Sequence, residues 1–182
     1  MVQSIEPEVA DTKKEIVMRG LYMFIAGILV AVATQFAIAQ SQNEGVVRMN
    51  HVGISSPNIE EAIEYYTETL GFPEAFRVTN DAGEIALVYV QVSQNSFLEL
   101  QPSNPNRPPG LSHFGVVVED MDGAIAMWRG RGLEVEDSRV SGTQAVLSNI
   151  YDANGIRMEL LELPVESEHA QAAARWRSFQ AY

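Results

Sequence analysis

Met49-Asn50-His51-Val52-Gly53 and Leu111-Ser112-His113-Phe114-Gly115 are two versions of one short phrase. In each, a histidine stands in an apolar run, two residues before a glycine and shortly before a helix start. The histidines are 62 residues apart. Two further phrases echo each other, Phe97-Leu98-Glu99-Leu100 and Arg157-Met158-Glu159-Leu160, with their lone glutamates 60 apart. Matched spacing of unlike features is the sequence mark of a duplicated unit.

Outward from these phrases, the segments repeat in order. Met49–Ser55 predicts a strand. Asn58 predicts an N-cap, with Glu61 three residues on as its capping-box partner. Ile59, Ile63, Tyr66 and Leu70 recur at helical spacing and predict the buried stripe. Gly71 supplies the helix stop, and Pro73 prevents continuation. Phe76–Val78, Ile85–Val92 and Asn95–Leu100 follow as strands, with Asp81-Ala82-Gly83 and Ser93-Gln94-Asn95 as turns. Gln101–Gly110, with four prolines, is the crossover between halves. The second half predicts a strand at Leu111–Val118 and a helix capped by Asp120 with stripe Met121, Ile125 and Trp128. Gly130 and Gly132 end that helix. Strands at Leu133–Val140, Ala145–Tyr151 and Ile156–Leu163 follow, the last pair joined at Asp152-Ala153-Asn154-Gly155, a strong hairpin signal. The order is βαβββ twice, an α+β fold of two tandem modules (48–103 and 110–164). One module alone would leave a sheet face bare; two can close into a cupped, mostly antiparallel sheet with helices outside.

Strand side chains alternate faces. Met49, His51 and Gly53 share one face against Val52 and Ile54; His113 and Gly115 oppose Phe114 and Val116. Glu99 opposes Leu98 and Leu100; Glu159 opposes Met158 and Leu160. The more apolar sets should meet the helices, which turns His51, Glu99, His113 and Glu159 into the cup. A lone strand histidine is usually an ordinary interior residue, whereas an unpaired carboxylate among Leu and Met is costly. Four such groups at matched positions predict one divalent-metal site, with Zn or Ni first and Co, Mn or Fe(II) as alternatives. Tyr89, Gln91, Asn149 and Arg157 are expected to line the cup and touch a small-molecule substrate. His169, in the helical tail 165–182, is expected to be solvated.

The 182-residue chain is 46% hydrophobic and carries a net charge of −12, which argues against nucleic acid as a partner. Past residue 39 there are nine arginines against twenty acidic residues. There is no cysteine, so disulfides and thiolate ligands are excluded. Residues 1–39 read as an export signal: Arg19, the apolar run Leu21–Ala33, then Ala37-Ile38-Ala39 as a small-x-small cleavage site before a linker at 40–47. Met18 offers a second start. A retained anchor is the alternative, since 21–39 is just long enough to span a bilayer. Both place the domain outside the cytoplasm, and only the anchor makes the membrane a partner.

Residues 48–164 resemble the vicinal-oxygen-chelate superfamily, the glyoxalase/bleomycin-resistance/dioxygenase group. The resemblance rests on His51-Val-Gly-Ile, Tyr65-Tyr66 to Leu70-Gly71-Phe72, Leu98-Glu99-Leu100, His113-Phe-Gly-Val, and Asp152-Ala-Asn-Gly with Met158-Glu159-Leu160. The His, Glu, His, Glu set is similar to the glyoxalase I-like branch. Extradiol dioxygenases lack the acid at the Glu99 position, and methylmalonyl-CoA epimerases typically have Gln in the second slot. The two residues that grip glutathione in glyoxalase I are replaced here by Ser55 and Ser103, and a further arginine of that branch is Pro109 here, although Arg107 is nearby. The resemblance implies lyase or isomerase chemistry that moves a proton next to a carbonyl, with Glu159 as base and Glu99 as the second candidate. Fe(II) oxygen chemistry and non-enzymatic binding of a small molecule are the alternatives, and a homodimer is common in such proteins.

Overall fold

A computed structural model describes residues 15, 17–31 and 45–176. Residues 17–31 are helical, and no helix among the described residues is long and apolar enough to cross a membrane. This segment belongs to one unit, Met1–Glu44, and the folded domain to another, Gly45–Tyr182. The expected cleavage site at Ala37–Ala39 lies outside the described residues.

The domain runs β1 (Val46–Ser56), α1 (Ile59–Glu64), β2 (Glu74–Thr79), β3 (Ile85–Ser93), β4 (Ser96–Pro102), β5 (Gly110–Val118), α2 (Met121–Gly130), β6 (Arg139–Val140), β7 (Val146–Tyr151), β8 (Arg157–Glu162) and α3 (Glu168–Arg175). All eight strands form one sheet ordered β2-β3-β4-β1-β5-β8-β7-β6. Two pairs are parallel, β1 with β4 and β5 with β8, and the other five are antiparallel. The modules therefore meet along β1 and β5, the two strands that carry the histidines.

The apolar faces lie as alternation requires. Ile54, Leu98 and Leu100 pack with Ile59, Ile63 and Tyr66 of the first helical segment. Phe114, Val116, Met158 and Leu160 pack with Met121, Ile125 and Trp128 of α2. The polar set is thereby turned to the other face.

Several boundaries differ from the sequence reading. β1 begins at Val46, inside the stretch read as linker, because Val46 pairs with Val118. The first helix widens into a π turn at Tyr65–Thr69, with Leu70 N donating to Tyr65 O and Phe72 N to Tyr66 O. The extra residue per turn rotates Leu70 out of the stripe, to 45% exposure, and Phe72 packs in its place. Asn58 caps α1 as expected, accepting from Glu61 N. Asp120 makes no side-chain cap bond; Met121 N donates instead to Glu162 Oε2 at 2.9 Å. The strand expected at Leu133–Val140 shrinks to Arg139–Val140 and an isolated bridge between Val135 and Ile150. It is the sheet edge, and Glu134, Glu136 and Asp137 blunt it.

Candidate metal centre

The register across the seam is reciprocal. His51 lies opposite Gly115, and His113 lies opposite Gly53. Each glycine clears space for the other copy's ring: a Cβ on Gly53 would stand 2.1 Å from His113, and one on Gly115 2.3 Å from His51. The parallel partners complete the pattern, since Gly53 pairs with Glu99 and Gly115 with Glu159.

Two β-bulges aim the rings. Register shifts fall between Met49 and His51 on β1, and between Leu111 and His113 on β5, which leaves Asn50 and Ser112 as the extra residues. A bulge breaks alternation and redirects its side chain, so the parity assigned to Met49 does not carry across to His51. His51 Nδ1 donates to Asn50 Oδ1 at 2.9 Å. His113 Nδ1 pairs with Ser112 Oγ at 2.8 Å. Both rings thus use Nδ1 for the protein and present Nε2 to the cup, the arrangement that orients metal-binding imidazoles.

The two Nε2 atoms face each other at 3.0 Å. Glu99 Oε2 is 3.4 Å from His51 Nε2 and 3.5 Å from His113 Nε2. Glu159 Oε2 is 3.5 Å and 3.9 Å from the same atoms. All four ligand atoms lie within 4.8 Å of one another, on residues that are buried. Four donors about 2.1 Å from a tetrahedral cation would stand roughly 3.4 Å apart, so the set matches a single ion. Its chemistry points the same way. Two imidazoles that present Nε2 and two buried carboxylates are a donor set suited to a divalent cation. These four residues could therefore hold a metal ion.

The carboxylates are not equivalent. Both oxygens of Glu99 are tethered, Oε2 by the Tyr89 hydroxyl and Oε1 by Gln101 Nε2. Burial would raise the Glu99 pKa, but the hydrogen bond from His113 and the charge of His51 outweigh it and hold it at about 2. Burial also works against charged Glu159, and its imidazole neighbours again prevail, led by His51. Glu159 has only Arg157 behind it, with Nη1 3.4 Å from Oε1. Burial, then the charges of Glu99 and Glu159, push the Tyr89 hydroxyl well above its ordinary value, so it stays a donor.

A cavity of about 230 Å³ opens onto this cluster, lined by Tyr89, Glu99, Gln101, Arg107, Thr143, Arg157 and Glu159 among others. Of the expected cup-lining residues, Tyr89 and Arg157 are there. Gln91 is not: its Nε2 donates to Gln94 O and Ala172 O, which ties it to α3. Asn149 is not either, because it turns to the Glu136 carboxylate. A larger concavity of about 550 Å³ lies along Ile54–Asn58 and α1, and it contains none of the four ligands.

His169 departs furthest from expectation. It is 1% exposed, not solvated. Its ring stacks on His51 at 6.3 Å and meets Tyr89, Phe76 and Phe97 edge-on at 4.5, 4.9 and 5.4 Å. Neither ring nitrogen has a hydrogen-bond partner among the described residues. Helix α3 therefore fills part of the cup. Its signal was in the sequence: Ser167 is a cap, which accepts from Ala170 N, and His169 and Ala172 lie one turn apart on the buried face. Asn50 and Ser112 also went unread, although both stand one residue before a histidine at the common spacing.

A shared metal-ligand cup at the junction of two βαβββ modules defines the class. The chain belongs to the Glyoxalase/Bleomycin resistance protein/Dioxygenase superfamily, whose family model matches residues 50–151. It is 29% identical over 126 residues to YaeR of Escherichia coli (strain K12), described as uncharacterized, covering 65% of this chain and 98% of that protein. Its fold is similar to methylmalonyl-CoA epimerase from Mycobacterium tuberculosis, with a TM-score of 0.59, 24% identity, and coverage of 66% and 91% of the two chains. A variant of Streptomyces coelicolor methylmalonyl-CoA epimerase in complex with 2-nitronate-propionyl-CoA gives 0.53, 20%, 64% and 97%. At these identities the structures establish the fold.

Proposed function

We propose that the protein is a metal-dependent lyase or isomerase that moves a proton next to a carbonyl of a small oxygen-rich substrate. His51, Glu99, His113 and Glu159 would hold one divalent ion, Zn or Ni first, then Co, Mn or Fe(II). When bound, such an ion acts as a Lewis acid and stabilises charge developing on substrate oxygens. The observation that carries the reading is the unequal tethering of the two glutamates. Glu99 is fixed by Tyr89 and Gln101, which suits a permanent ligand. Glu159 has no hydrogen bond on its free oxygen, only the guanidinium of Arg157 at 3.4 Å, so it can swing and accept a proton. The cavity, at about 230 Å³, falls below the roughly 300–1,000 Å³ of drug-sized sites and supports a small reacting group.

The test pairs elemental analysis with solvent-deuterium exchange across 2-oxoaldehydes and 2-hydroxyketones. The purified protein should carry one divalent ion and exchange the proton next to the carbonyl. Glu159→Gln should keep the fold, bind the ion more weakly and lose exchange about 10²- to 10⁴-fold. Full exchange in that variant removes Glu159 from the role, and oxygen consumption with Fe(II) would replace the proposed chemistry. We also propose that the domain works outside the cytoplasm after loss of residues 1–39, supported by the apolar run and the small-x-small site. N-terminal sequencing should then begin at Gln40, and a mature chain beginning before Leu21 excludes cleavage.

A further inference from the structure

We propose that the cavity takes a small organic acid, whose anionic group is held by Arg107 and Arg157 beside the metal-ligand cluster. This rests on the reading of the cluster as a reaction centre and names its substrate class.

The chain carries −12 overall, yet the cavity lining holds Arg107, Arg139 and Arg157 against only two acids, the cluster glutamates themselves. Arg139 is already paired, 3.7 Å from Glu136, so Arg107 and Arg157 are the two that matter. Arg107 is fixed by Nη2 donating to Pro102 O at 2.8 Å, while its buried Nε has no partner among the described residues. A buried guanidinium donor with nothing to donate to is costly and calls for an acceptor. Arg157 keeps its side chain 27% exposed, and its nearest acid is Glu159. Once a divalent ion neutralises that carboxylate, the guanidinium is left without a counter-charge.

The same two arginines line an adjoining groove of about 370 Å³ with Asn104, Asn106, Ser112 and Tyr151. No acidic residue lines that groove. The groove is thus a positive inlet in an acidic protein, and low-dielectric walls focus such a field on incoming anions. In the cavity Arg107 and Arg157 are matched by Glu99 and Glu159, and the balance turns positive once a cation neutralises the glutamates. Paired guanidinium forks are suited to carboxylate geometry.

The test uses malate, which offers vicinal oxygens and a second carboxylate, and its uncharged dimethyl ester. Calorimetric titrations are run on the full chain, metal-free and zinc-loaded, and on Arg107→Gln, Arg157→Gln and Arg157→Lys. Malate should bind more tightly than the ester in both metal states. Each glutamine variant should weaken malate about tenfold or more and leave the ester within about threefold, and Arg157→Lys should recover part of the loss. Equal affinity for malate and ester, no binding of malate, or unchanged malate affinity in both glutamine variants overturns the proposal. If zinc fails to bind but malate affinity still follows the arginines, the metal reading fails and the anion site stands.

Discussion

His169 illustrates what a buried ring costs when nothing bonds to it. Burial, followed by the charge of His51, pushes its pKa down to about 3. The folded protein therefore keeps it neutral, while the unfolded chain protonates near pH 6.5. With the folded value depressed, stability from this group is whole above about pH 6.5 and declines as pH falls toward 3. Between pH 7 and pH 5 the loss is about 2 kcal/mol. Phe76, Tyr89 and Phe97 offer an aromatic pocket, so His169→Phe should stabilise the protein by about 1 kcal/mol at pH 7 and flatten this slope. Urea midpoints at the two pH values check it; parallel slopes in parent and variant would show that His169 is not the titrating group. The carboxylates do not confuse the window, because Glu99 and Glu159 are lowered from 4.5 and act only below it.

The β1–β5 seam is where sequence and structure agree best. Alternation put both histidines and both glutamates on one face, and the common spacing put them at one place, since a duplicated strand pair is related by near two-fold pairing. What alternation cannot express is a bulge, which is why nothing in the strand pattern singles out Asn50 and Ser112. It also cannot reach a segment outside the repeat. Helix α3 has no counterpart in the first module, so no spacing argument places His169 against His51, and Gln91 is turned to α3 rather than to the cavity at the cluster. The glycines at the seam give the sharpest test. Their backbone would accept alanine, but the opposing ring would not. Gly53→Ala and Gly115→Ala should each cost about 1–3 kcal/mol and weaken metal binding. Denaturant midpoints and zinc titration measure both, and unchanged affinity would mean that the rings do not depend on that clearance.

Across the domain, two apolar layers on the helix side are joined by a cup whose centre consists of four buried polar groups, two imidazoles and two carboxylates. Stability should respond strongly to the ion. A ligand at a hundred times its dissociation constant adds about 2.7 kcal/mol. Chelation should lower the melting temperature, and zinc or nickel should restore it. A melting temperature indifferent to both would leave the cluster without its proposed occupant.

The reciprocal seam has one more consequence. His51 and Glu99 come from before the proline-rich crossover, and His113 and Glu159 from after it. Nicked between Ser103 and Pro109, the polypeptide would become two pieces, each holding half a chelator. Neither piece alone could compete for trace ions, whereas their reunion could, so cation uptake would serve as a switch that reports when the halves recombine.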